Sequence, residues 1–404
     1  HPVFQEHPVD FEFSTDQQQF INDVRAFLAE EAKKPYADEV MNPNREADSM
    51  LTDSPERREF NKQLAKKRYL GMSWPVEFGG QAKEGIFEYL VNEELASVGA
   101  PLIGKGVGCV GKTLIRHGSA KQKAEFLPQI LNAEIEFCLG YSEPGAGSDL
   151  ASLKLKAEKI DGGWKVNGQK IYNTSAHFAD WYWLAARTDF EVAKHKGISL
   201  FLIPMNSPGI TVREIKTMGD HRTNEVFFDD VFIPDDGLVG ELNKGWVYIC
   251  EALDYERFTL YTVGPIQKKF DVFVEMIKNE TRDGQPLKND PAVRKLVAQL
   301  STDLETTIML QRRVIAAACK GGVPTVEAAM CKLYSTQLGQ RLANAALEIL
   351  GPSGMLHEGV EHAPLDGKWE HSLRATALDT IGGGTSEVQK NIIARRGLEL
   401  PLVM

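Results

Sequence analysis

Residues 141–149 read Tyr-Ser-Glu-Pro-Gly-Ala-Gly-Ser-Asp, a run that combines turn formers, small residues and hydroxyl groups. Pro144 fixes its own φ angle, while Gly145 and Gly147 permit backbone conformations that other residues adopt only at a cost. The backbone N–H groups of such a loop can lie against a flat or anionic ligand. The run is neither the GxGxxG of a dinucleotide fold nor a P-loop ending in Gly-Lys-Ser/Thr. By itself it is compatible with an ordinary turn and with a ligand-binding loop.

Length, composition and charge narrow the class of protein. The chain has 404 residues, which exceeds one hydrophobic core and predicts two or three domains. A net charge of −10 argues against non-specific binding to nucleic acid or to an anionic membrane surface. No apolar run approaches the roughly 20 residues of a membrane span. We therefore expect neither a nucleic-acid partner nor a membrane association.

The metal-binding residue types are scattered along the chain. The five cysteines form no CxxC pair, and the nine histidines show no HxxxH spacing. This pattern predicts no metal site and a reducing compartment. We expect a cytoplasmic protein if the source is bacterial, and a protein of the mitochondrial matrix if it is eukaryotic.

Residues 1–132 carry helical periodicity and are predicted to form an all-α domain. Ser14 and Thr15 precede an amphipathic run, and Gln17 and Gln18 stand where a capping box places them. The other helices predicted in this region cover 56–68, 87–98, 112–117 and 120–130.

Residues 133–238 switch to short strands with tight turns, which predicts a small β-barrel or sandwich domain. Asp161-Gly162-Gly163 and Asn167-Gly168 are typical of hairpin turns. The predicted strands cover 153–159, 181–186, 198–203 and 225–232.

Residues 239–404 return to helical spacing, with runs long enough to predict a four-helix bundle. The predicted helices cover 246–262, 266–278, 291–319, 325–350 and 387–396. The expected fold class is therefore α+β and multidomain: a helical domain, a β domain and a helical bundle.

Several motifs follow one another in the order found in a known family. They are Trp74-Pro75 with Phe78-Gly79-Gly80, Glu93-Glu94-Leu95-Ala96, Gly118-Ser119-Ala120-Lys121-Gln122 with Phe126-Leu127-Pro128, Asn167-Gly168-Gln169-Lys170, residues 226–234, and Gly384-Thr385-Ser386-Glu387 with Ile392-Ile393-Ala394-Arg395. Over nearly its whole length the chain resembles the flavin-dependent acyl-CoA dehydrogenases. The resemblance implies FAD as cofactor, an acyl-CoA thioester as substrate, an electron-transferring flavoprotein as acceptor, and a place in β-oxidation of lipids or steroids.

By this resemblance the cofactor lies between the 141–149 loop and a strand that follows Lys170. Tyr172 to Thr174 match the Trp-Ile-Thr that commonly backs the flavin ring, and a tyrosine keeps an aromatic face there. The amide of Asn173, which departs from that pattern, could donate to a ring atom. The residues assigned to FAD here are Leu139, Tyr141, Ser142, Gly147, Ser148, Tyr172, Asn173 and Thr174, with Ser148 also near the substrate.

The catalytic base is expected at a position used by a minority of the family. Many members carry a glutamate just before the C-terminal Gly-Thr-Ser, where this chain has Gly383. In the isovaleryl- and long-chain-type enzymes the glutamate directly precedes an arginine on an earlier helix, and Glu256 with Arg257 matches that arrangement. Partial burial on an apolar helix face would raise the pKa of Glu256 towards working pH.

The residues around this base have expected roles of their own. Arg257 could orient the carboxylate and is also assigned to the substrate, and Asp254 is assigned to the CoA portion of the substrate. The backbone N–H of Gly383 could polarise the thioester carbonyl as part of an oxyanion hole. A glycine at 383 also leaves space, which favours a branched or bulky acyl group such as a steroid side chain.

The segments that reach a neighbouring subunit's cofactor in the family match poorly. The resemblance assigns Arg282, Glu348 and Gly351 to these arms, and assigns Thr385 and Glu387 of the closing motif to the cofactor. A weak arm is compatible with one subunit of an α₂β₂ heterotetramer, and a homotetramer is equally open. Two further alternatives are a flavin oxidase or monooxygenase on the same fold, and a non-catalytic subunit of a heteromer.

Overall fold

The structure is a computed structural model that describes residues 13–42, 51–260, 263–282, 284–319 and 324–401. For residues 254–260 and 318–319 it describes the backbone only. Within these ranges the chain forms helices, then a sheet, then helices, which confirms the predicted fold class.

The first helical region begins as its capping residues predict. The hydroxyl of Ser14 accepts from the N–H of Gln17, and the Gln17 side chain accepts from the N–H of Ser14, which completes a capping box. A π-helical turn, Gly106–Gly111, leads into the fifth helix. The helices are α1 (Thr15–Glu31), α2 (Ala37–Val40), α3 (Pro55–Lys66), α4 (Gly85–Ser97), α5 (Lys112–His117) and α6 (Ala120–Leu131).

The middle region is an eight-stranded mixed sheet within the described residues. Its strands are β1 (Phe137–Gly140), β2 (Lys156–Ile160), β3 (Gly163–Lys170), β4 (Trp181–Arg187), β5 (Ile198–Pro204), β6 (Ile210–Lys216), β7 (Arg222–Pro234) and β8 (Leu238–Val239). Their order is β6-β7-β3-β2-β4-β5-β8, and β1 pairs with β4 in parallel. Trp164 of β3, Phe201 of β5 and Val231 of β7 share one buried core, so the two halves of the sheet face each other.

Two local predictions in this region are wrong. Asn167-Gly168 is not a hairpin turn, because it lies inside β3 at a register shift against β7, where Gly168 has φ 143°. Pairing of β7 with both ends of β3 overrides the local turn signal. The chain after Lys170 is not a strand either: residues 171–180 form a loop with turns at 174–178. Asp161-Gly162 is the true hairpin turn, between β2 and β3.

The last region contains a helical bundle, as predicted. Phe273, Leu304, Leu342 and Trp369 come from four successive helices and share one buried core. The helices are α7 (Gly245–Leu260), α8 (Gly264–Asn279), α9 (Pro291–Cys319), α10 (Thr325–Leu350), α11 (Lys368–Asp379) and α12 (Ser386–Ile392); a small hairpin of β9 (Thr281–Arg282) and β10 (Gln285–Pro286) follows α8.

Helix α7 does not pack only within its own region. Tyr248 and Ile249 of α7 belong to the large core that also holds Val107 of the first region and Leu200 of β5. Helix α7 also contacts α10, which in turn contacts α12. The domain limits at 132 and 238 stay predictions. In the described part of the chain, none of the helices has the length and apolar character needed to cross a membrane.

Candidate active site

Residues 141–149, called the flavin loop from here on, are held in place by a buried ion pair. Lys170 is fully buried, and its Nζ donates to Glu143 Oε1 at 2.8 Å and to the Tyr141 carbonyl at 2.9 Å. The Glu143 carboxylate also accepts from the N–H groups of Lys154 and Leu155, at 2.6 and 2.9 Å. Burial lowers the pKa of Lys170 to about 8, although Glu143 opposes that shift.

The tip of the flavin loop is exposed and open. Glu143 and Ala146 exchange two backbone hydrogen bonds of 3.0 Å, which closes the tip as a tight turn. Gly147 and Ser148 are exposed, and a Cβ atom at Gly145 or Gly147 would meet no atom within 4 Å. The backbone around Gly145 and Gly147 is therefore open, and its contact with a ligand stays a prediction.

Leu139 and Tyr141 enter the site from the end of β1. The Tyr141 hydroxyl accepts from Trp183 Nε1 at 3.0 Å, and the Ser142 carbonyl accepts from the N–H of Ile171 at 2.9 Å. The second bond joins the flavin loop to the segment that follows Lys170. These contacts bring the two parts of the predicted cofactor surface together.

Tyr172 has the most unusual backbone in this surface. Its φ is 61°, in the left-handed region that non-glycine residues seldom adopt, and its side chain is 65% exposed. Such conformations concentrate at functional sites, where surrounding structure enforces them. An exposed aromatic ring beside the flavin loop fits a planar cofactor.

Asn173 and Thr174 face the protein more than the solvent. The Asn173 Nδ2 donates to the Leu139 carbonyl at 2.9 Å, and its Oδ1 accepts from the Tyr182 hydroxyl at 2.9 Å. Thr174 Oγ1 lies 3.4 Å from Thr223 Oγ1. Both polar atoms of the Asn173 side chain thus have protein partners, and its contact with a cofactor stays a prediction.

A second glycine-containing segment, residues 382–385, is called the glycine turn. Gly383 and Gly384 have φ of 64° and 98°. Gln389 Nε2 donates to their two carbonyls at 3.2 and 3.1 Å, and Lys332 Nζ donates to the Gly384 carbonyl at 2.7 Å. Both donor side chains are fully buried, so fixed groups hold the turn from inside.

Thr385 and Glu387 lie at the start of α12. The Thr385 hydroxyl accepts from the N–H of Val388 at 3.2 Å and caps the helix. Hydrogen bonds from its own backbone N–H and from the Thr385 hydroxyl lower the pKa of Glu387. These contacts give both residues a role in the helix start, and their assignment to the cofactor stays a prediction.

The predicted base lies on α7, which spans Gly245–Leu260. The side chains of Asp254, Glu256 and Arg257 lie outside the described residues. Ala252, on the predicted apolar face around Glu256, is buried. Helix α7 and the glycine turn are linked through α10, since α10 contacts α7 and supplies Lys332.

Glu93, from the Glu93-Glu94-Leu95-Ala96 motif, fixes the chain just beyond α7. Its carboxylate accepts from the Val263 N–H at 3.1 Å, from the Gly264 N–H and from the Tyr89 hydroxyl at 2.8 Å. Burial raises the pKa of Glu93, against the effect of these hydrogen bonds. A side chain of the first region thereby caps the start of α8.

The predicted subunit-reaching residues come together at one end of the bundle. Arg282 Nη2 donates to the Ile349 carbonyl at 3.0 Å. Glu348 is exposed beside it, and Gly351, with φ 64°, has open space around its Cβ direction. The structure thus groups Arg282, Glu348 and Gly351, and their contact with a cofactor stays a prediction.

Three buried residues of the site carried no signal in the sequence. Lys332 and Gln389 hold the glycine turn, and Asn224 of β7 donates to the Asn173 carbonyl at 2.8 Å. Each lies inside a regular helix or strand, and in the sequence a single polar residue in such an element cannot be told from one on the protein surface. Across the described ranges there is no cluster of three or more His, Cys, Asp or Glu side chains that could hold a metal ion.

Family models match the chain in three successive parts. The N-terminal domain of acyl-CoA dehydrogenases matches residues 14–134, the middle domain 138–231 and the C-terminal domain 243–398. The chain is 35% identical to Acyl-CoA dehydrogenase FadE29 of Mycobacterium tuberculosis over 351 residues, which cover 86% of this chain and 90% of that protein. The chain belongs to the acyl-CoA dehydrogenase family. It is therefore an oxidoreductase of an FAD-dependent family, and the resemblance seen in its motifs is confirmed.

Two solved structures are similar over almost the whole chain. One is described as the Tcur3481-Tcur3483 steroid ACAD, with a TM-score of 0.86 and 30% identity, covering 98% of this chain and 100% of that one. The other is the ChsE4-ChsE5 complex from Mycobacterium tuberculosis, with a TM-score of 0.86, 29% identity and the same coverage.

Proposed function

We propose that this acyl-CoA dehydrogenase uses FAD to convert an acyl-CoA thioester into the trans-2-enoyl-CoA, with Glu256 as the base. One observation carries the cofactor assignment: exposed Tyr172, in a left-handed conformation, lies next to the open flavin loop. The residues present fit the group, because an aromatic face and free loop backbone suit a flavin with its pyrophosphate. Leu139, Tyr141, Ser142, Gly147, Ser148, Tyr172, Asn173 and Thr174 would hold it.

The reaction removes two hydrogens from adjacent carbons. Glu256 takes the α-proton of the thioester, and the electron pair of that C–H bond forms the new C=C bond. When bound, FAD would supply N5 as the acceptor for the β-hydride, and the electron acceptor proposed for this chain is an electron-transferring flavoprotein. The proton stays on the Glu256 carboxylate until it is released to solvent.

The glycine turn supports this step from the thioester carbonyl. The carbonyls of Gly383 and Gly384 are occupied by buried donors, and no acceptor for the Gly383 N–H is found among the described residues. That N–H is therefore available to the thioester oxygen and would stabilise its developing negative charge. Arg257 orients the base, and Ser148 and Asp254 contact the substrate.

The substrate proposed is a branched or bulky acyl-CoA, including steroid side chains. Gly383 supports this choice, because no side chain projects there towards the thioester. The description of a similar structure as a steroid ACAD supports it too.

For the assembly we propose a tetramer, either a homotetramer or an α₂β₂ heterotetramer. The described structure ties Arg282 to its own chain through the Ile349 carbonyl, which favours a partner-supplied arm. One similar structure is a complex of two named components, ChsE4 and ChsE5. Full FAD occupancy and full activity of this chain expressed alone would contradict the heterotetramer.

A panel of acyl-CoA thioesters, mixed anaerobically with the holoprotein, tests the reaction. We expect bleaching of the oxidised flavin absorbance, fastest with branched or bulky chains. Bleaching followed by rapid reoxidation in air would indicate a flavin oxidase instead. Full FAD occupancy without bleaching by any thioester would contradict the proposal and indicate a non-catalytic subunit.

A further inference from the structure

The turn at residues 171–174 needs support that Tyr172 does not provide. The left-handed backbone of Tyr172 is unfavourable for a residue with a side chain, and its exposed ring makes little packing contact to compensate. The conformation is therefore set by the groups that bind the backbone on either side of it.

Asn224, on β7, binds that backbone from within the protein. Its side chain is fully buried, and its Nδ2 donates to the Asn173 carbonyl at 2.8 Å and lies 3.4 Å from the Thr174 carbonyl. The backbone carbonyl of Asn224 accepts from the Asn173 N–H at 2.9 Å. Asn224 therefore binds both the backbone N–H and the backbone carbonyl of Asn173, the residue that follows Tyr172.

Two further side chains fix the orientation of the Asn224 amide. Arg222 Nε donates to Asn224 Oδ1 at 3.0 Å, which directs the amide nitrogen towards the turn. His177 Nδ1 lies 3.1 Å from the Asn224 Nδ2, and it accepts when the ring is neutral with its proton on Nε2. Burial, assisted by the charge of Arg222, lowers the pKa of His177 and so favours that neutral form.

We infer that Asn224 is a positioning residue for the cofactor: it holds the 171–174 turn so that the Tyr172 ring faces the flavin. The inference rests on the proposed function, because the contact between Tyr172 and the flavin belongs to it. Asn224 itself need not touch the cofactor; it acts through the Asn173 and Thr174 carbonyls.

The test compares Asn224→Ala and Asn224→Asp with the wild-type holoprotein. Aspartate is nearly isosteric with asparagine and keeps the acceptor for Arg222, but it loses the N–H donors to the turn. If the alanine variant does not fold, the aspartate variant still tests the role of these donors. Release of FAD is followed by its fluorescence, and bound FAD by its visible spectrum. We expect release about tenfold faster, which corresponds to about 1.4 kcal/mol, and a shifted spectrum, because the turn loses the hydrogen bonds that Asn224 donates.

Asn92→Ala is the matched control. Asn92 is equally buried, on α4, and its Oδ1 accepts from the Ile103 N–H at 2.9 Å. We expect it to lower the thermal midpoint while FAD release and spectrum stay as in the wild type. Release and spectra unchanged in both Asn224 variants would overturn the inference. Failure of the proposed function can be distinguished from failure of this inference. In that case no acyl-CoA thioester would reduce the flavin of the wild-type holoprotein.

Discussion

The flavin loop and the glycine turn are both rich in glycine, yet they are held in opposite ways. The flavin loop sends its own Glu143 inward, where Lys170 pairs with it. The three glycines of the glycine turn have no side chain to send inward, and Lys332 and Gln389 reach from helices to the carbonyls of Gly383 and Gly384. In both segments the shape depends on buried residues outside the segment, and the glycines only permit it.

Removal of the charged partner of the flavin loop has the largest expected effect. Lys170→Met leaves the buried Glu143 carboxylate without its counter-ion and should lower the free energy of unfolding by about 3–5 kcal/mol. Denaturant unfolding measures it. Lys194→Met is the control, because Lys194 pairs with exposed Asp149 at the loop end and should cost about 0–1 kcal/mol. Similar losses in both variants would contradict the role of the buried pair.

The same lysine predicts a pH dependence of stability. The native state releases the Lys170 proton near pH 8, while the unfolded chain keeps it until about 10.5. Between these values the unfolded state binds more protons, so the contribution of Lys170 to the free energy of unfolding rises with pH. The difference between wild type and Lys170→Met should therefore widen from pH 8 to 10. A constant or narrowing difference would contradict the lowered pKa.

Glycine substitutions compare the two segments directly. Gly384→Ala introduces a side chain at φ 98°, with its Cβ 2.6 Å from Gln389 Nε2, and should cost about 1–3 kcal/mol. Gly145→Ala adds a Cβ in open space at the flavin loop and should cost under about 0.5 kcal/mol. Thermal midpoints of the two variants measure the contrast. Equal losses would show that the two segments are not held differently.

The cap at the end of the glycine turn has the smallest expected effect. Thr385→Ala removes the acceptor for the Val388 N–H and should cost about 1 kcal/mol at most. Thr302→Ala is the control, since Thr302 is exposed in the middle of α9 and its hydroxyl donates to the Ala298 carbonyl. Equal unfolding free energies for the two variants would contradict a capping role for Thr385.

Local signals in the sequence predict much of this fold. The capping box at Ser14 and the turn at Asp161-Gly162 are set by neighbours within a few residues, so their outcome follows from the local sequence. Helices α7 to α10 were predicted because apolar residues recur at helical spacing over long runs. Asn167-Gly168 carries an equally strong local turn signal, but pairing with β7 overrides it. Strand β6 and helix α11 were not predicted. The order of polar and apolar residues in each can be interpreted only together with the elements against which it packs.

The candidate site could be proposed from the sequence where its motifs are contiguous, and could not where separate segments come together on folding. Tyr141, Ser142 and Tyr172 could be assigned from two short motifs, and the structure brings these segments together. Lys332, Gln389 and Asn224 could not, because their partners lie between 5 and 52 residues away in sequence and each stands alone in a regular element. The position of the base came from family resemblance, and Glu256 is assigned on that basis and on the α7 backbone.

The central claim is that Glu256 abstracts the α-proton, and anaerobic reduction of the bound FAD tests it most directly. Stopped-flow mixing of wild type, Glu256→Gln and Glu251→Gln with the best thioester of the panel compares the rates of flavin bleaching. Glu251 lies on the same helix and contacts His117 at 2.9 Å, so its variant controls for a lost carboxylate. We predict a loss of about 10²- to 10⁴-fold for Glu256→Gln alone. Bleaching of Glu256→Gln at the wild-type rate would contradict the account.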